Sequence, residues 1–335
     1  TNLWGSSSAR GESGRQQYLT PAHWPAHIDM MKDELNIRIS RWQQHPAADY
    51  LLDGADEKGL VIIDDSALYA RPIYTRDHSE LLPNVKAWIA AWIRAHRNHP
   101  SIVMWSAENE CGWMHESLMR ETPISDADLL SLGDAIRAQD PTRPVTYDGD
   151  GDVGDAVVNW HYPEGYEGLP RRESRRSGPV GTPGSIYGWA TMGPDLSPEG
   201  LADWTEGMGY GPTLHPDKPT GLGEFLACGW VEELKPDVFW WHGTWCRGMR
   251  YTNYTDIRPY TLSWTYGGEQ PEARRNLANS FAPVALFDKD YDDLGIEPLM
   301  NQQYPEVDEG AELERTLVLY NDEWDDTSVT AEVEV

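Results

Sequence analysis

Short apolar runs alternate with longer amphipathic stretches along most of this chain. The runs are a few residues long and rich in β-branched and aromatic side chains, which is typical of buried strands. Between the runs, apolar residues recur at helical spacing, as Leu82, Val85, Ile89 and Ile93 do within residues 79–97. Strands that alternate with helices predict an α/β fold built on a parallel sheet.

The pattern predicts eight strands, at residues 2–4, 36–40, 60–63, 102–105, 144–148, 157–162, 219–223 and 260–264. It predicts helices at 25–35, 46–58, 79–97, 126–139, 238–249 and 271–286. Ser125 stands where an N-cap would, and Gly59 where a helix would end. The chain has 335 residues. This length accommodates a (β/α)₈ TIM barrel, which typically takes about 250 residues.

The pattern changes near residue 312. Apolar and polar residues alternate over 313–319 and again over 329–333, on either side of a polar stretch at 321–326. Period-two alternation around a polar turn predicts a hairpin. We therefore expect a barrel at 1–300 and a C-terminal part at 301–335 that begins with two strands.

Acidic residues outnumber basic ones by 55 to 27, and the formal net charge is −28. Such a charge repels nucleic acid and anionic membrane surfaces, so neither is an expected partner. No apolar run of about 18 residues predicts a membrane span. No signal-peptide pattern appears and the chain opens on Thr1, which we interpret as a mature product or a piece of a longer soluble protein. The pattern leaves compartment and oligomeric state open.

The sequence predicts no metal and no cofactor. No Cys and His residues have the spacing of a zinc site. Asp-Gly repeats at 149–152 resemble a calcium loop faintly, but the bidentate acid is missing, so a plain turn is favoured. Three cysteines in this length do not form a disulfide framework. Cys111 and Cys228 could approach each other near a barrel mouth, although buried, inert thiols are the simpler interpretation.

Acids follow two of the predicted strands at the same end. The strand at 102–105 leads to Glu108, Asn109 and Glu110, and the strand at 219–223 leads to Glu224. The carboxyl ends of the strands are where α/β barrels carry their chemistry. One such acidic loop could be a solvated surface, but two of them predict a pair of carboxylates that meet across the barrel mouth.

Two groups of residues carry a resemblance to a known family. Residues 105–110, together with Asn98, His99, Pro100 and Ser101, resemble the acid/base signature of glycoside hydrolase family 2. Residues 31–40 and 56–64 resemble that family's second-strand and third-strand segments, and the resemblance extends from about residue 29 to the C-terminus. The family usually has Gly where Glu108 stands and His near the position of Arg41. Glu108 is therefore a second candidate for the acid/base.

The resemblance implies a retaining glycoside hydrolase for β-linked oligo- or polysaccharides, exo-acting, with a carbohydrate as its partner. It implies Glu110 as acid/base and Glu224 as nucleophile, which need carboxyl groups about 5 Å apart. It implies Asn109 as the ligand of the sugar 2-hydroxyl and Arg38 as the arginine that braces the carboxylates. The further candidates for substrate contact, at or near strand ends, are Trp42, His161, Tyr162 and Trp264.

The resemblance also implies that residues 301–335 hold a linker and the first strands of an immunoglobulin-like β-sandwich, and that further sandwich domains flank the barrel in a longer chain. Two other functions stay open, an endo-acting glycanase of the same clan and a non-catalytic carbohydrate-binding barrel. An arginine-rich stretch at 171–176 could receive an anionic sugar, although a solvated loop is the simpler interpretation.

The net charge yields a first prediction. If it reflects adaptation to high salt, the melting temperature should rise steeply between low and molar salt, because added ions screen carboxylate repulsion. Calorimetry across a salt series measures this rise. A flat profile would leave solubility as the reason for the charge.

Overall fold

The structure, a computed structural model, describes residues 2–4, 20–69, 78–112, 124–161, 215–225, 238–259, 271–294, 306–323 and 328–332. A five-stranded parallel sheet contains, in chain order, β1 Asn2–Trp4, β2 Ile39–Gln43, β3 Val61–Asp65, β4 Ile102–Asn109 and β5 Val145–Asp148. A second sheet contains β6 Asp150–Gly151, β7 Val158–His161, β8 Thr220–Phe225 and β9 Asp256–Pro259. Within it β6 is antiparallel to β7, and the other pairs are parallel.

Helices separate most of these strands. They are α1 Trp24–Asp29, continued by a π-helical turn Met30–Glu34, α2 Asp49–Lys58, α3 His78–His96, α4 Asp126–Arg137, α5 Val238–Tyr251, α6 Pro271–Phe281 and α7 Lys289–Asp292. Without the two-residue β6, the described strands follow one another in the strand order of the expected TIM barrel. None of the described helices combines the length and apolarity needed to cross a membrane.

The C-terminal end of α2 and the start of α4 follow the expected chemistry. Gly59 ends α2 in the left-handed conformation at φ 69°, which costs glycine little. Ser125 and Asp128 form a reciprocal capping box at the start of α4. These local signals place the helix boundaries close to where the sequence predicts them.

Alternate strand residues face the helices and form the apolar layer. Trp42 of β2 packs edge-on against Trp24 of α1, with ring centroids 6.2 Å apart. Trp105 of β4 packs in the same way against Trp92 of α3 at 5.3 Å. All four indoles are buried. Residues next to these tryptophans in the strands therefore point the other way, into the barrel.

Two described strands differ in position from the predicted ones. The second strand begins at Ile39 instead of residue 36, because Asn36 adopts a left-handed turn at φ 56°. The described strand β9 lies just before the predicted eighth strand at 260–264, and those residues lie outside the described part of the chain. Arg258 and Asp256 of β9 are paired, with Nε and Oδ2 2.9 Å apart. A strand carrying buried charges escapes a search for apolar runs.

The C-terminal hairpin pairs differently from the prediction. Helix α6 ends at Phe281, and the chain continues as β10 Val284–Asp288 instead of a helix to residue 286. It pairs antiparallel with β11 Leu317–Asn321, and residues 328–332 form no strand. The buried face of this sheet packs on α5, where the guanidinium of Arg250 lies 4.3 Å from the ring centre of Tyr320.

This pairing joins strands from both sides of the boundary expected after residue 300. The described residues of the C-terminal part form a two-stranded sheet and do not show a β-sandwich. The division at 300 stays a prediction.

Candidate active site

Glu110 leaves the end of β4 in an unusual backbone conformation. Its φ is 58°, in the left-handed region, and its amide donates to the carbonyl oxygen of Asp148 at 2.8 Å. The side chain is buried and lies against Gly149, where an added Cβ would stand 3.0 Å from Cγ of Glu110 and 2.8 Å from Nδ1 of His161. The turn thus directs Glu110 to the mouth of the barrel, beside β5 and β7.

Glu224, in β8, faces Glu110 from the opposite sheet. One of its carboxylate oxygens, Oε1, accepts from Nη1 of Arg41 at 2.9 Å and from Nε2 of Gln43 at 2.5 Å. A carboxylate oxygen of Glu110 and one of Glu224 lie within 4.8 Å of each other. The structure therefore brings together the two carboxylates that the sequence predicts as a pair.

Arg41 connects the strands beneath this pair. It is completely buried, and its guanidinium contacts Asp65 at 2.7 Å, Asn109 at 2.5 Å and Asp148 at 3.3 Å, besides Glu224. Burial lowers the pKa of Arg41, but the charges of Asp148, Asp65 and Glu224 outweigh burial and raise it. The arginine therefore keeps its charge. One cation thus contacts three buried acids on different strands.

The prediction for Arg38 is therefore wrong. Arg38 is exposed and precedes β2, whereas Arg41 braces the carboxylates. The error follows from placing the second strand at residues 36–40 instead of Ile39–Gln43. A shift by an odd number of residues exchanges the inward and outward faces of a strand. Trp42 is also misassigned as a sugar contact. Its ring faces α1, and its Nε1 donates to Nδ1 of His45 at 3.0 Å.

His161, at the end of β7, lies between the two glutamates. Its Nδ1 is 3.0 Å from Oε1 of Glu110 and 3.7 Å from Oε1 of Glu224, and its Nε2 is 3.5 Å from Oδ1 of Asp148. Burial lowers the pKa of His161. The charge of Glu224 and the hydrogen bonds to Asp148 and Glu110 outweigh burial and raise it to about 9. The ring therefore holds a proton between the two carboxylates.

The surroundings shift the pKa values of two acids of the site in opposite directions. Burial, and then the charge of Glu224, raises the pKa of Glu110, although His161 and Arg41 act against them. Burial would also raise the pKa of Asp148. The charges of Arg258 and Arg41 outweigh it and hold that pKa well below its usual range. Glu110 is thus able to carry a proton beside a permanently ionised Asp148.

Asn109 is buried next to Glu110. Its Oδ1 accepts from Arg41, and its Nδ2 has no hydrogen-bond partner among the described residues. A buried amide donor without a partner is uncommon in proteins. The Asn109 side chain therefore has a donor to offer a bound molecule.

Glu108, the second candidate for the acid/base, is committed elsewhere. It is completely buried, and its Oε2 accepts from the amide of Cys111 at 2.7 Å. Among the described residues, it is Glu110 that contacts His161 and has a carboxylate oxygen within 4.8 Å of one of Glu224. The geometry therefore favours Glu110 as the group that works with Glu224.

Several residues of this site were missed in the sequence. Asp65 and Asp148 end β3 and β5, and the rule that found Glu110 and Glu224 would have found them too. Gln43, Asn159 and Arg258 had no such signal, since each follows from knowing which way its strand faces. Gly223 leaves room for Asn159, because a Cβ there would lie 2.3 Å from Oδ1 of Asn159.

Some predicted features lie outside the described residues. These are Tyr162, Trp264, Cys228 and the arginine-rich stretch at 171–176.

Cys111 is buried and free of a disulfide, and burial, then the charge of Glu108, raises its pKa well above the usual value.

Two groups of described side chains have the spacing to hold a metal ion. One is Glu110, His161 and Glu224, and the other is Asp53, Asp56 and His99 near α2. In the second group Asp56 already accepts from the amide of Ser101 at 2.8 Å, and Asp53 is exposed. Neither group has the closed ligand set of a structural metal site.

Comparisons with known proteins agree with the barrel fold described above. Residues 20–173 match the family model described as glycosyl hydrolases family 2, TIM barrel domain. A β-glucuronidase of Paenibacillus borealis is 29% identical over 139 residues, 39% of this chain and 20% of that protein. A β-galactosidase 2 of Enterobacter cloacae is 26% identical over 210 residues, 58% of this chain and 17% of that protein. The chain thus spans about a fifth of the length of these relatives.

Solved structures show the same fold. A family 2 β-galacturonidase from Eisenbergiella tayi, bound to galacturonate, superposes with a TM-score of 0.51 at 16% identity, over 78% of this chain and 47% of that one. A Bacteroides uniformis β-glucuronidase superposes with a TM-score of 0.52 at 15% identity, over 82% of this chain and 34% of that one. The family match, at 20–173, includes Arg41, Glu110 and His161 but not Glu224. Over those residues, the chain is similar to the TIM-barrel domain of glycosyl hydrolase family 2.

Proposed function

We propose that this chain is the catalytic barrel of an exo-acting glycoside hydrolase that cleaves β-linked sugars with retention of configuration. The observation that carries the proposal is the approach of Glu110 and Glu224 to within 4.8 Å, oxygen to oxygen. Retaining enzymes hold their carboxyl groups about 5 to 5.5 Å apart, and inverting enzymes need roughly 6.5 to 9.5 Å to admit a water. The approach of the two carboxylates to within 4.8 Å supports double displacement.

Glu224 is the proposed nucleophile. The guanidinium of Arg41 and the amide of Gln43 both donate to its Oε1, which favours the ionised form that attacks an anomeric carbon. The same contacts fix the carboxylate in position, so little reorganisation is needed when the reaction begins.

Glu110 is the proposed acid/base. Burial and the charge of Glu224 raise its pKa, so that Glu110 holds a proton for the leaving oxygen. When Glu224 becomes esterified, its negative charge disappears and the pKa of Glu110 falls. Glu110 then takes a proton from water in the second step. His161 contacts both carboxylates and fixes their positions relative to each other.

Asn109 is the proposed ligand of the sugar 2-hydroxyl. Its unpartnered Nδ2 lies one residue before Glu110, and Arg41 fixes its Oδ1. Hydrogen bonds to that hydroxyl strengthen in the transition state of glycoside cleavage. The side chain of Asn109 thus has the right donor in the right place.

The sugar is proposed to be a β-hexopyranoside of the kind named for the relatives, a galactoside or a uronide. Nitrophenyl glycosides of galactose, glucuronic acid, galacturonic acid and mannose form a suitable panel. Release of single sugars from an oligosaccharide would distinguish exo from endo action. A purely sugar-binding barrel is disfavoured, because binding alone does not require acids with opposed pKa shifts inside the barrel.

We expect Glu224→Ala to abolish turnover with the fold intact, because no nucleophile remains. Glu110→Ala should slow turnover by about 10²- to 10⁴-fold, the usual contribution of a general acid/base. Azide should restore part of that rate, since it attacks the glycosyl intermediate without general-base help. Glu108→Gln is the matched control. Azide-rescuable loss in Glu108→Gln but not in Glu110→Ala would transfer the acid/base role to Glu108.

The stereochemical outcome tests the mechanism as a whole. The first-formed sugar should keep the β-configuration of the bond cleaved, because two displacements at one carbon restore it. Proton NMR of fresh hydrolysate reads the anomer before mutarotation. An α-sugar as the first product would contradict the nucleophile role of Glu224.

His161 should make stability depend on pH. Its pKa is raised from 6.5 to about 9 by folding, so its contribution is complete below pH 6.5 and disappears as the pH rises through 9. The difference in unfolding free energy between the wild type and His161→Asn should therefore shrink by a few kcal/mol across this window. Urea denaturation at several pH values measures it. His23→Asn, at an exposed position, is the control, and a constant difference for His161→Asn would refute the assignment.

A further inference from the structure

Two buried acids hold the chain directly after Glu110. Oε2 of Glu108, in β4, accepts from the amide of Cys111 at 2.7 Å. Oδ2 of Asp150, in β6, accepts from the amide of Gly112 at 2.7 Å. Cys111 and Gly112 are the two residues that follow Glu110, and both acids are at most 2% exposed. Two carboxyl groups from different strands thus bind consecutive amides of one turn.

We propose that Glu108 and Asp150 are positioning residues for Glu110, which hold its turn so that its carboxyl group reaches the bond to be cleaved. The inference rests on the proposed function, in which Glu110 is the acid/base. Neither acid is proposed to touch the sugar, because each side chain acts through the backbone that follows Glu110.

The backbone of Glu110 needs such support. A φ of 58° is unfavourable for a residue with a Cβ and persists only where its surroundings impose it. On one side, the amide of Glu110 is held by the carbonyl oxygen of Asp148. On the other side, the amides of Cys111 and Gly112 are held by Glu108 and Asp150. Loss of the second anchor should let the turn relax and move the Glu110 carboxyl group.

The contacts of Glu108 indicate that its neutral form is the one in place. Its Oε1 is buried and has no hydrogen-bond partner among the described residues. A buried charge with an unpartnered oxygen is costly. Burial, and then the charge of Asp150, raises the pKa of Glu108 well above its usual value. A neutral amide of the same shape should therefore replace Glu108, with its carbonyl oxygen accepting from Cys111.

The experiment compares substrates that differ in their need for a proton. Departure of dinitrophenolate needs no general acid, whereas departure of methoxide does. For the sugar found in the panel, kcat/KM is measured with the dinitrophenyl and methyl glycosides. Glu108→Ala and Asp150→Ala should each lose roughly 10-fold or more with the methyl glycoside, as expected of a misplaced catalytic group, and less than about 2-fold with the dinitrophenyl glycoside.

Conservative variants and a remote control separate positioning from folding. Glu108→Gln and Asp150→Asn keep an acceptor for the amide and should retain the wild-type ratio between the two substrates. Asp140→Ala is the matched control, because Asp140 is also buried and accepts from an amide, that of Thr142, at 2.9 Å before β5. It should lower the melting temperature and leave the ratio unchanged.

The possible results are distinct. Equal losses with both substrates, or no loss in the alanine variants, would overturn the positioning role. If the alanine variants do not fold, Glu108→Asp, which shortens the side chain by one methylene, must show the same selective loss, and an unchanged ratio would overturn the role. Glu110→Ala is run in parallel. If it too keeps full activity on the methyl glycoside, the proposed function fails; if it loses that activity while Glu108→Ala does not, only the positioning role fails.

Discussion

The site depends on one buried guanidinium. Arg41 has no exposed surface and bridges β2 to β3, β4, β5 and β8 through Asp65, Asn109, Asp148 and Glu224. A buried ion pair adds little net stability, but removing one partner leaves an uncompensated charge and costs about 3–5 kcal/mol. Arg41 and its acids therefore depend on one another, and the cluster fixes the relative positions of the strands that carry the glutamates.

This cluster explains why the barrel interior tolerates so many polar side chains. An apolar barrel core would be simpler to fold, yet here the inward positions of β2, β7 and β9 carry Gln43, Asn159 and Arg258, all buried. Space for Asn159 comes from glycine at 221 and 223, where a Cβ would come within 3.0 and 2.3 Å of the Asn159 side chain. The apolar packing is displaced to the layer between strands and helices, where Trp24, Trp42, Trp92 and Trp105 meet.

The sequence predicts the helices well and the site in part, for identifiable reasons. Helix ends have local signals, so Gly59 and Ser125 mark their positions without knowledge of the rest of the fold. Glu110 and Glu224 could be found because each stands shortly after the end of a predicted strand. The inward position of Arg41 could not be found in this way. Leu35, Ile37 and Ile39 alternate across Asn36, and period two alone does not say where β2 starts. Only the left-handed turn at Asn36 and the tertiary contacts of Arg41 determine which face points inward.

The partner of β11 was missed for a different reason. Residues 313–319 and 329–333 are close in sequence and alternate alike, so local pattern favours joining them. The structure instead pairs Leu317–Asn321 with Val284–Asp288, where Phe287 and Tyr320 lie against the guanidinium of Arg250. Which of two compatible strands is chosen depends on the surface beneath them, and sequence alternation carries no information about that surface.

The charges around Glu110 provide the last link between structure and the proposed reaction. In the free site, Glu224 and Asp148 stand against Arg41 and Arg258, and Nδ1 of His161 lies 3.0 Å from Oε1 of Glu110. An ester at Glu224 would remove one negative charge and leave both arginines in place. Because Asp148 stays ionised, the resulting excess of positive charge falls on Glu110 and its neighbour His161. Arg41 and Arg258 would then favour loss of the proton from Glu110, so the change from acid to base in the proposed reaction needs no movement of the fold.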